Sequence, residues 1–293
     1  MSIVNQLGID YLLPKDLRRD AIIMILNRAV DSLRIKKNEF PLTELIDATT
    51  NSPNDWTIPA VCYQTWVDNK FGRTHYREIA NFRALNSDLA WVLFDDEKMN
   101  SYMQRVWSGN EIFEVYVRSK FGPMRADIFR YCLLYDQGGY YFDIGKGCNK
   151  SIRSFHDGSS SGLISFENNI CITPPSLANH NLLSSPTSLI IQWGFGFAPR
   201  HPFLKEAIRL IEINWHHFKE KTFPNPKEAI LSLTGPGLFT QAVRNSMTEE
   251  LSNSLAQCGV DFQGYGVSSL PGSYVRYFTR EHYTESKDSS LFL

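Results

Sequence analysis

Between Gly122 and Asp143 the chain reads G-P-M-R-A-D-I-F-R-Y-C-L-L-Y-D-Q-G-G-Y-Y-F-D, and this stretch leaves few folds open. Gly122-Pro123 marks a helix start and Gly138-Gly139 its stop. Ile128, Phe129, Tyr131, Cys132, Leu133 and Leu134 make that helix apolar nearly all round, the pattern of a buried helix. A short strand, Tyr140 to Ile144, follows and carries Asp143 near its C-terminal end. In α/β proteins that end of a strand is where ligand chemistry is placed.

The flanking sequence alternates in the same manner. Ala60–Trp66 and Ala90–Phe94 read as strands, with helices over Tyr76–Leu85, Glu97–Trp107 and Glu111–Lys120 between and after them. Asp95 or Asp96 is placed to cap the second of these helices. Further on, Gly162–Phe166 and Leu189–Gln192 read as strands, His201-Pro202 opens an amphipathic helix through Phe218, and Thr234-Gly235-Pro236-Gly237 opens another. Tyr274–Phe278 is strand-like. The expected fold is α/β, Rossmann-like, with a mostly parallel sheet flanked by helices. Leu17, Ile22, Ile25, Leu26, Ala29 and Leu33 recur at helical spacing, so residues 1–55 are expected to form a helical leader and a polar connector, with the main domain over 56–293.

Composition excludes several classes. Thirty basic and 31 acidic side chains nearly cancel, so no global field argues for nucleic acid or an anionic membrane. The five cysteines, Cys62, Cys132, Cys148, Cys171 and Cys258, are odd in number and lack a C-x-x-C pair, against a disulfide framework or a structural zinc site. Reduced thiols fit a cytoplasmic protein. The longest apolar run near the start, Ala21–Leu26, is too short to span a bilayer. Docking at the inner face of a membrane stays open.

Three charged residues stand out for chemistry. Asp127 and Arg130 share a helix face. On a buried helix such charges need partners, which a hydroxyl-rich ligand would provide. Asp143, leaving an aromatic strand, suits a hard divalent cation that keeps water and substrate phosphates as its other ligands. A turn-capping role before Gly145 is the structural alternative for Asp143.

The order R-x-D-x-x-R-y-x-x-L-y-x-x-G-G-x-Y-x-D resembles glycosyltransferase family 32, the sugar-binding region containing a DXD motif. Initiating mannosyltransferases, capsular polysaccharide transferases and the large glucosylating bacterial toxins share that core. The resemblance extends over roughly Ile58 to Ser286. It includes Ile58-Pro59 through Gln64-Thr65-Trp66, Asn86 to Trp91 followed by Phe94-Asp95-Asp96-Glu97, Gly196-Phe197-Ala198-Pro199 as an acceptor-side loop, Thr234-Gly235-Pro236, and His282 with Ser286. It implies a GT-A fold, a UDP- or GDP-linked sugar donor, a glycan or glycolipid acceptor, retention of anomeric configuration, and Mn2+ or Mg2+. By position, Asp127 and Arg130 would hold the donor sugar. Gln64, Thr65, Trp66 and Asp143 would line the nucleotide site, and Lys146 and Ser286 would meet the diphosphate. Asp143 and His282 would be the metal ligands.

The departure from the family is Gly145, which stands where the second acid of DXD would be and has no side chain to offer a cation. The reading is therefore a hexosyltransferase whose cation, if used, is held by Asp143, His282, water and the diphosphate, or whose phosphates are partly neutralised by Lys146. The alternative is a catalytically degenerate nucleotide-sugar or carbohydrate-binding protein on the same fold. A two-carboxylate glycoside hydrolase using Asp127 and Asp143 fits less well, because Arg130 beside Asp127 suits clamping more than proton donation. No catalytic base or nucleophile is assigned.

Overall fold

A computed structural model of the chain describes residues 40–49, 56–170, 179–274 and 287–293. The helical leader, most of the polar connector, residues 275–278 of the strand-like segment, His282, Ser286 and Cys171 lie outside the described residues.

The core is an eight-stranded sheet. Its strands are β1 (Leu45–Ile46), β2 (Val61–Thr65), β3 (Ala90–Phe94), β4 (Gly139–Phe142), β5 (Gly162–Ile170), β6 (Ser188–Ile190), β7 (Gly194–Phe197) and β8 (Leu255–Val260). The order across the sheet is β8-β5-β7-β4-β2-β3-β1, with β6 paired to β5. β4, β2 and β3 are mutually parallel, and β8 runs parallel to β5; β7, β6 and β1 join antiparallel. The α/β reading holds, with a mixed sheet around a parallel centre.

Helices cover both faces. α1 (Arg73–Leu85) lies on one side, where Phe82 packs 5.4 Å from the Trp91 ring and 5.3 Å from that of Phe142. On the other side α2 (Asp96–Trp107), α3 (Glu111–Arg118), α4 (Gly122–Gln137), α5 (Pro202–Asn214), α6 (Pro226–Leu233) and α7 (Pro236–Ser246) enclose the larger core. Asp95, not Asp96, caps α2, its carboxylate accepting from the Lys98 amide at 2.8 Å. α4 is buried along most of its length, including Asp127 and Arg130, as its all-round apolar character requires.

Chain order explains where the site falls. β2 leads through α1 to β3 on one flank, and the chain then returns through α2, α3 and α4 to β4 on the other flank of β2. The strand order thus reverses at β2, and the carboxyl ends of β2 and β4 border the crevice that such a reversal opens. The sharp turn from α4 into β4 needs glycine twice. Gly138 has φ 66°, and Gly139 has φ 99° and lies so close to β2 that a Cβ would stand 2.7 Å from the Val61 carbonyl oxygen.

Candidate active site

Alternation along β4 decides which way each residue faces. Tyr140 and Phe142 pack on the α1 side and Tyr141 on the α4 side, so Asp143 emerges toward α4. There it meets Arg130. One guanidinium nitrogen, Nη2, lies 3.0 Å from Asp143 Oδ1 and 3.3 Å from Asp127 Oδ1. The remaining donors of Arg130 are also engaged, Nη1 with the Gln192 carbonyl at 3.0 Å and Nε with the Ala126 carbonyl at 3.3 Å. The guanidinium carbon lies 4.3 Å from the centroid of the Tyr141 ring, within cation–π range. Burial works against the charge on Arg130, but Asp143, Tyr141 and Asp127 outweigh it and hold the guanidinium firmly protonated.

Asp127 is the more enclosed carboxylate. Burial raises its pKa to about 7, although Arg130 and a hydrogen bond from Thr234 Oγ1 to Oδ2 at 3.0 Å pull the other way. Beneath it runs a polar network: the Tyr131 hydroxyl donates to the Thr234 carbonyl at 2.8 Å, and Gln192 Nε2 donates to that carbonyl at 2.9 Å and to the Tyr131 oxygen. Asp143 is more open, its side chain 32% exposed, so it is the acid that solvent or a ligand reaches first.

The turn after Asp143 is clasped from several sides. The Asp143 amide donates to the Trp193 carbonyl at 2.8 Å, and the Lys146 amide closes the turn on the Asp143 carbonyl at 2.9 Å. The Ile144 carbonyl lies 2.9 Å from His75 Nε2, and the Gly145 carbonyl accepts from the Leu270 amide at 2.8 Å. Lys146 shares this turn with Asp143; its ammonium donates to the Ser268 carbonyl and lies 5.9 Å from the Trp193 ring centroid.

The expected nucleotide residues separate. The Thr65 hydroxyl is 2.7 Å from that of Tyr141, tying the carboxyl ends of β2 and β4 together, and the half-buried Trp66 follows it. Gln64 points the other way. It is wholly buried, and its Oε1 accepts from Arg83 Nε of α1 at 3.0 Å, which makes its side chain a strut between sheet and helix. Asn86 is likewise internal, receiving the Ile152 amide at 2.7 Å. His201 is a buried helix cap, its Nδ1 facing the Phe203 amide at 3.3 Å. Gly196 and Phe197, read as part of an acceptor-side loop, belong instead to the central strand β7, where Gly194 and Gly196 lie directly against the Phe142 and Tyr140 rings. Tyr131, Gln192 and Trp193 were not anticipated. Only their position facing the carboxyl end of β4, visible once β7 is placed beside it, marks them out.

The described residues supply one accessible carboxylate for a cation, Asp143, with one oxygen turned to Arg130. Among them there is no group of three or more His, Cys, Asp or Glu side chains that could hold a metal ion. That donor set fits a divalent ion that takes its other ligands from a diphosphate and water, and does not fit an all-protein cage.

Residues 72–162, which contain α1, α4, β4 and Asp143, match the family described as glycosyltransferase sugar-binding region containing DXD motif. Over that stretch the chain is similar to the DXD-containing glycosyltransferases. Among similar proteins are the inositol phosphoceramide mannosyltransferase 3 of Schizosaccharomyces pombe, 26% identical over 61% of this chain and 43% of its own length. The initiation-specific alpha-1,6-mannosyltransferase of the same yeast is 26% identical over 64% and 48% respectively. The mannosyl phosphorylinositol ceramide synthase CSH1 of Saccharomyces cerevisiae is 22% identical over 76% and 54%. The chain thus spans about half the length of the curated relatives it matches. Among solved structures, PaToxG glycosyltransferase aligns over 82% of this chain and 83% of its own, at 15% identity and a TM-score of 0.46.

Proposed function

We propose that this chain is a glycosyltransferase that moves a hexose or N-acetylhexosamine from a nucleoside-diphosphate sugar to a hydroxyl of a glycan or glycolipid, with retention of anomeric configuration, on a GT-A arrangement. The observation that carries the reading is the single Arg130 nitrogen shared by Asp127 and Asp143. It joins a buried carboxylate suited to sugar hydroxyls to an accessible one suited to a nucleotide, at the crevice where the strand order reverses. Arg130 between them also argues against a hydrolase, in which the two carboxyl groups would have to be free for substrate and water.

In this reading Asp127 and Arg130 orient the donor sugar. Thr65, Trp66 and Asp143 border the nucleotide, and Lys146 lies beside the diphosphate. Charge developing on the leaving diphosphate needs fixed positive partners, and Lys146 stands in the turn that would face it. A Mn2+ or Mg2+ ion, when bound, would add positive charge at the diphosphate, with Asp143 as its protein ligand; His282 and Ser286 remain assigned to metal and diphosphate on family position alone. We assign no base or nucleophile: positioning and electrostatics carry the rate. The names of the similar proteins favour mannose as the transferred sugar and, for two of the three, an inositol-phosphate ceramide lipid as acceptor. Peripheral contact with a membrane accords with a lipid acceptor, and among the described residues no helix is long and apolar enough to cross one.

A thermal-shift panel of GDP- and UDP-sugars with and without Mn2+ tests the reading. A donor that binds only the folded state raises the melting temperature. No shift with any nucleotide sugar removes the proposal. A shift without nucleotide release in the presence of acceptor glycans would favour the binding-protein alternative that Gly145 suggests.

A further inference from the structure

The donor-sugar reading of Asp127 raises the question of what holds that carboxylate in one orientation. The terminal torsion of an aspartate is broad and two-fold, so a carboxylate turns unless each oxygen has its own partner. Oδ1 has Arg130 Nη2 at 3.3 Å; Oδ2 has the Thr234 hydroxyl at 3.0 Å. Thr234 is wholly buried and sits between the end of α6 and the Gly235-Pro236 start of α7. A second acceptor for its hydroxyl, the Ile230 carbonyl, is farther away at 3.4 Å.

Thr234 is itself immobilised. Its carbonyl receives both the Tyr131 hydroxyl and Gln192 Nε2, at 2.8 and 2.9 Å. Tyr131 lies one turn after Asp127 on α4, and the Gln192 carbonyl holds Arg130 Nη1. The same short network therefore fixes both members of the pair, Asp127 through the Thr234 hydroxyl and Arg130 through Gln192. The Gln192 side chain also hydrogen-bonds the Asp127 carboxylate, so of its about four acceptor directions Arg130, Thr234 and Gln192 take three and one is left for a ligand hydroxyl.

We propose that Thr234 is a positioning residue for donor recognition, fixing the Asp127 carboxylate so that it accepts a hydroxyl of the donor hexose. The inference rests on the donor-site reading above. Valine at this position keeps the shape but removes the Thr234 donor from the buried Asp127 carboxylate, whereas serine keeps the hydroxyl.

The test uses the full chain and the variants Thr234→Ser and Thr234→Val, checked for equal folding by thermal melting. GDP-mannose, UDP-glucose, UDP-galactose and UDP-N-acetylglucosamine are titrated calorimetrically with MnCl2, with GDP and UDP as sugarless controls. The expected result is a loss of about tenfold or more in nucleotide-sugar affinity in Thr234→Val. Affinity for the free nucleoside diphosphate stays within about twofold of wild type, and Thr234→Ser within about threefold for both ligands. A merely structural role would weaken sugar-bearing and sugarless ligands alike, and that pattern overturns the proposal. So does a Thr234→Val variant that binds the nucleotide sugar as wild type does. A folded wild-type chain that binds none of these nucleotide sugars overturns the donor reading and this inference together.

Discussion

Arg130 of α4 and Asp143 at the end of β4 are joined at 3.0 Å, so the helix and the strand that meet at Gly138-Gly139 are locked again by charge, from the middle of the helix to the far end of the strand. The same nitrogen reaches Asp127, and the pair of carboxylates is thereby held around one cation.

Removing that cation leaves a buried carboxylate facing a second one. Arg130→Leu is expected to destabilise the fold by about 3 kcal/mol, the usual scale for a charge left unpaired in a protein interior. Adding Asp127→Asn to Arg130→Leu recovers part of the loss. Urea denaturation of the two variants checks both statements, and a double variant less stable than the single one contradicts them.

Asp127 links stability to pH with a definite sign. Its native pKa is raised to about 7 against about 3.9 for an unperturbed aspartate, so the native state holds the extra proton between those values. The stability this group contributes is full below about pH 4 and is lost as pH rises through 7. Asp127→Asn removes that loss. Its melting temperature relative to wild type should rise from pH 4 to about pH 7 and level off above it, while nucleotide-sugar binding disappears.

His201 acts in the opposite sense. Burial lowers its pKa to about 4, below the ordinary imidazole range. The unfolded chain therefore takes up a proton that the native state refuses, and stability falls as pH drops from about 6.5 toward 4. His201→Asn keeps a helix-capping side chain and should flatten this acid limb. An unchanged limb in melts between pH 4 and 7 would show that other groups set it.

Gly139→Ala should cost more than about 2 kcal/mol, since both its φ of 99° and the nearby Val61 carbonyl oppose a Cβ. Gly109, where a Cβ meets nothing within 4 Å, provides the control for the same substitution.

Legibility in the sequence followed local uniformity. α4 and β4 were readable because the helix is apolar all round and the glycine pair can end it in only a few ways. β7 was not, because Gly194 and Gly196 give its four residues the look of a loop; they are glycine because the Phe142 and Tyr140 rings lie against them. β8 was also missed, its register broken between Gln257 and Val260. α6, eight residues long, lacks the length at which helical periodicity stands out. At the site, Asp127, Arg130 and Asp143 were readable as charges in apolar surroundings. Gln192 and Thr234 were not, because their partners come from distant segments. Gln64 and Thr65 are adjacent in the chain yet serve different sides of the sheet, and only the alternation of β2 separates them.

The most direct test of the central claim is nucleotide release by wild type and Asp143→Asn, each incubated with GDP- and UDP-sugars, Mn2+ and an acceptor glycan or inositol-phosphate lipid. The account predicts release from at least one donor by wild type, with loss of about a hundredfold or more in an Asp143→Asn variant that is still folded at the assay temperature. Near-normal release by Asp143→Asn, or none by a folded wild type with any donor, would contradict it.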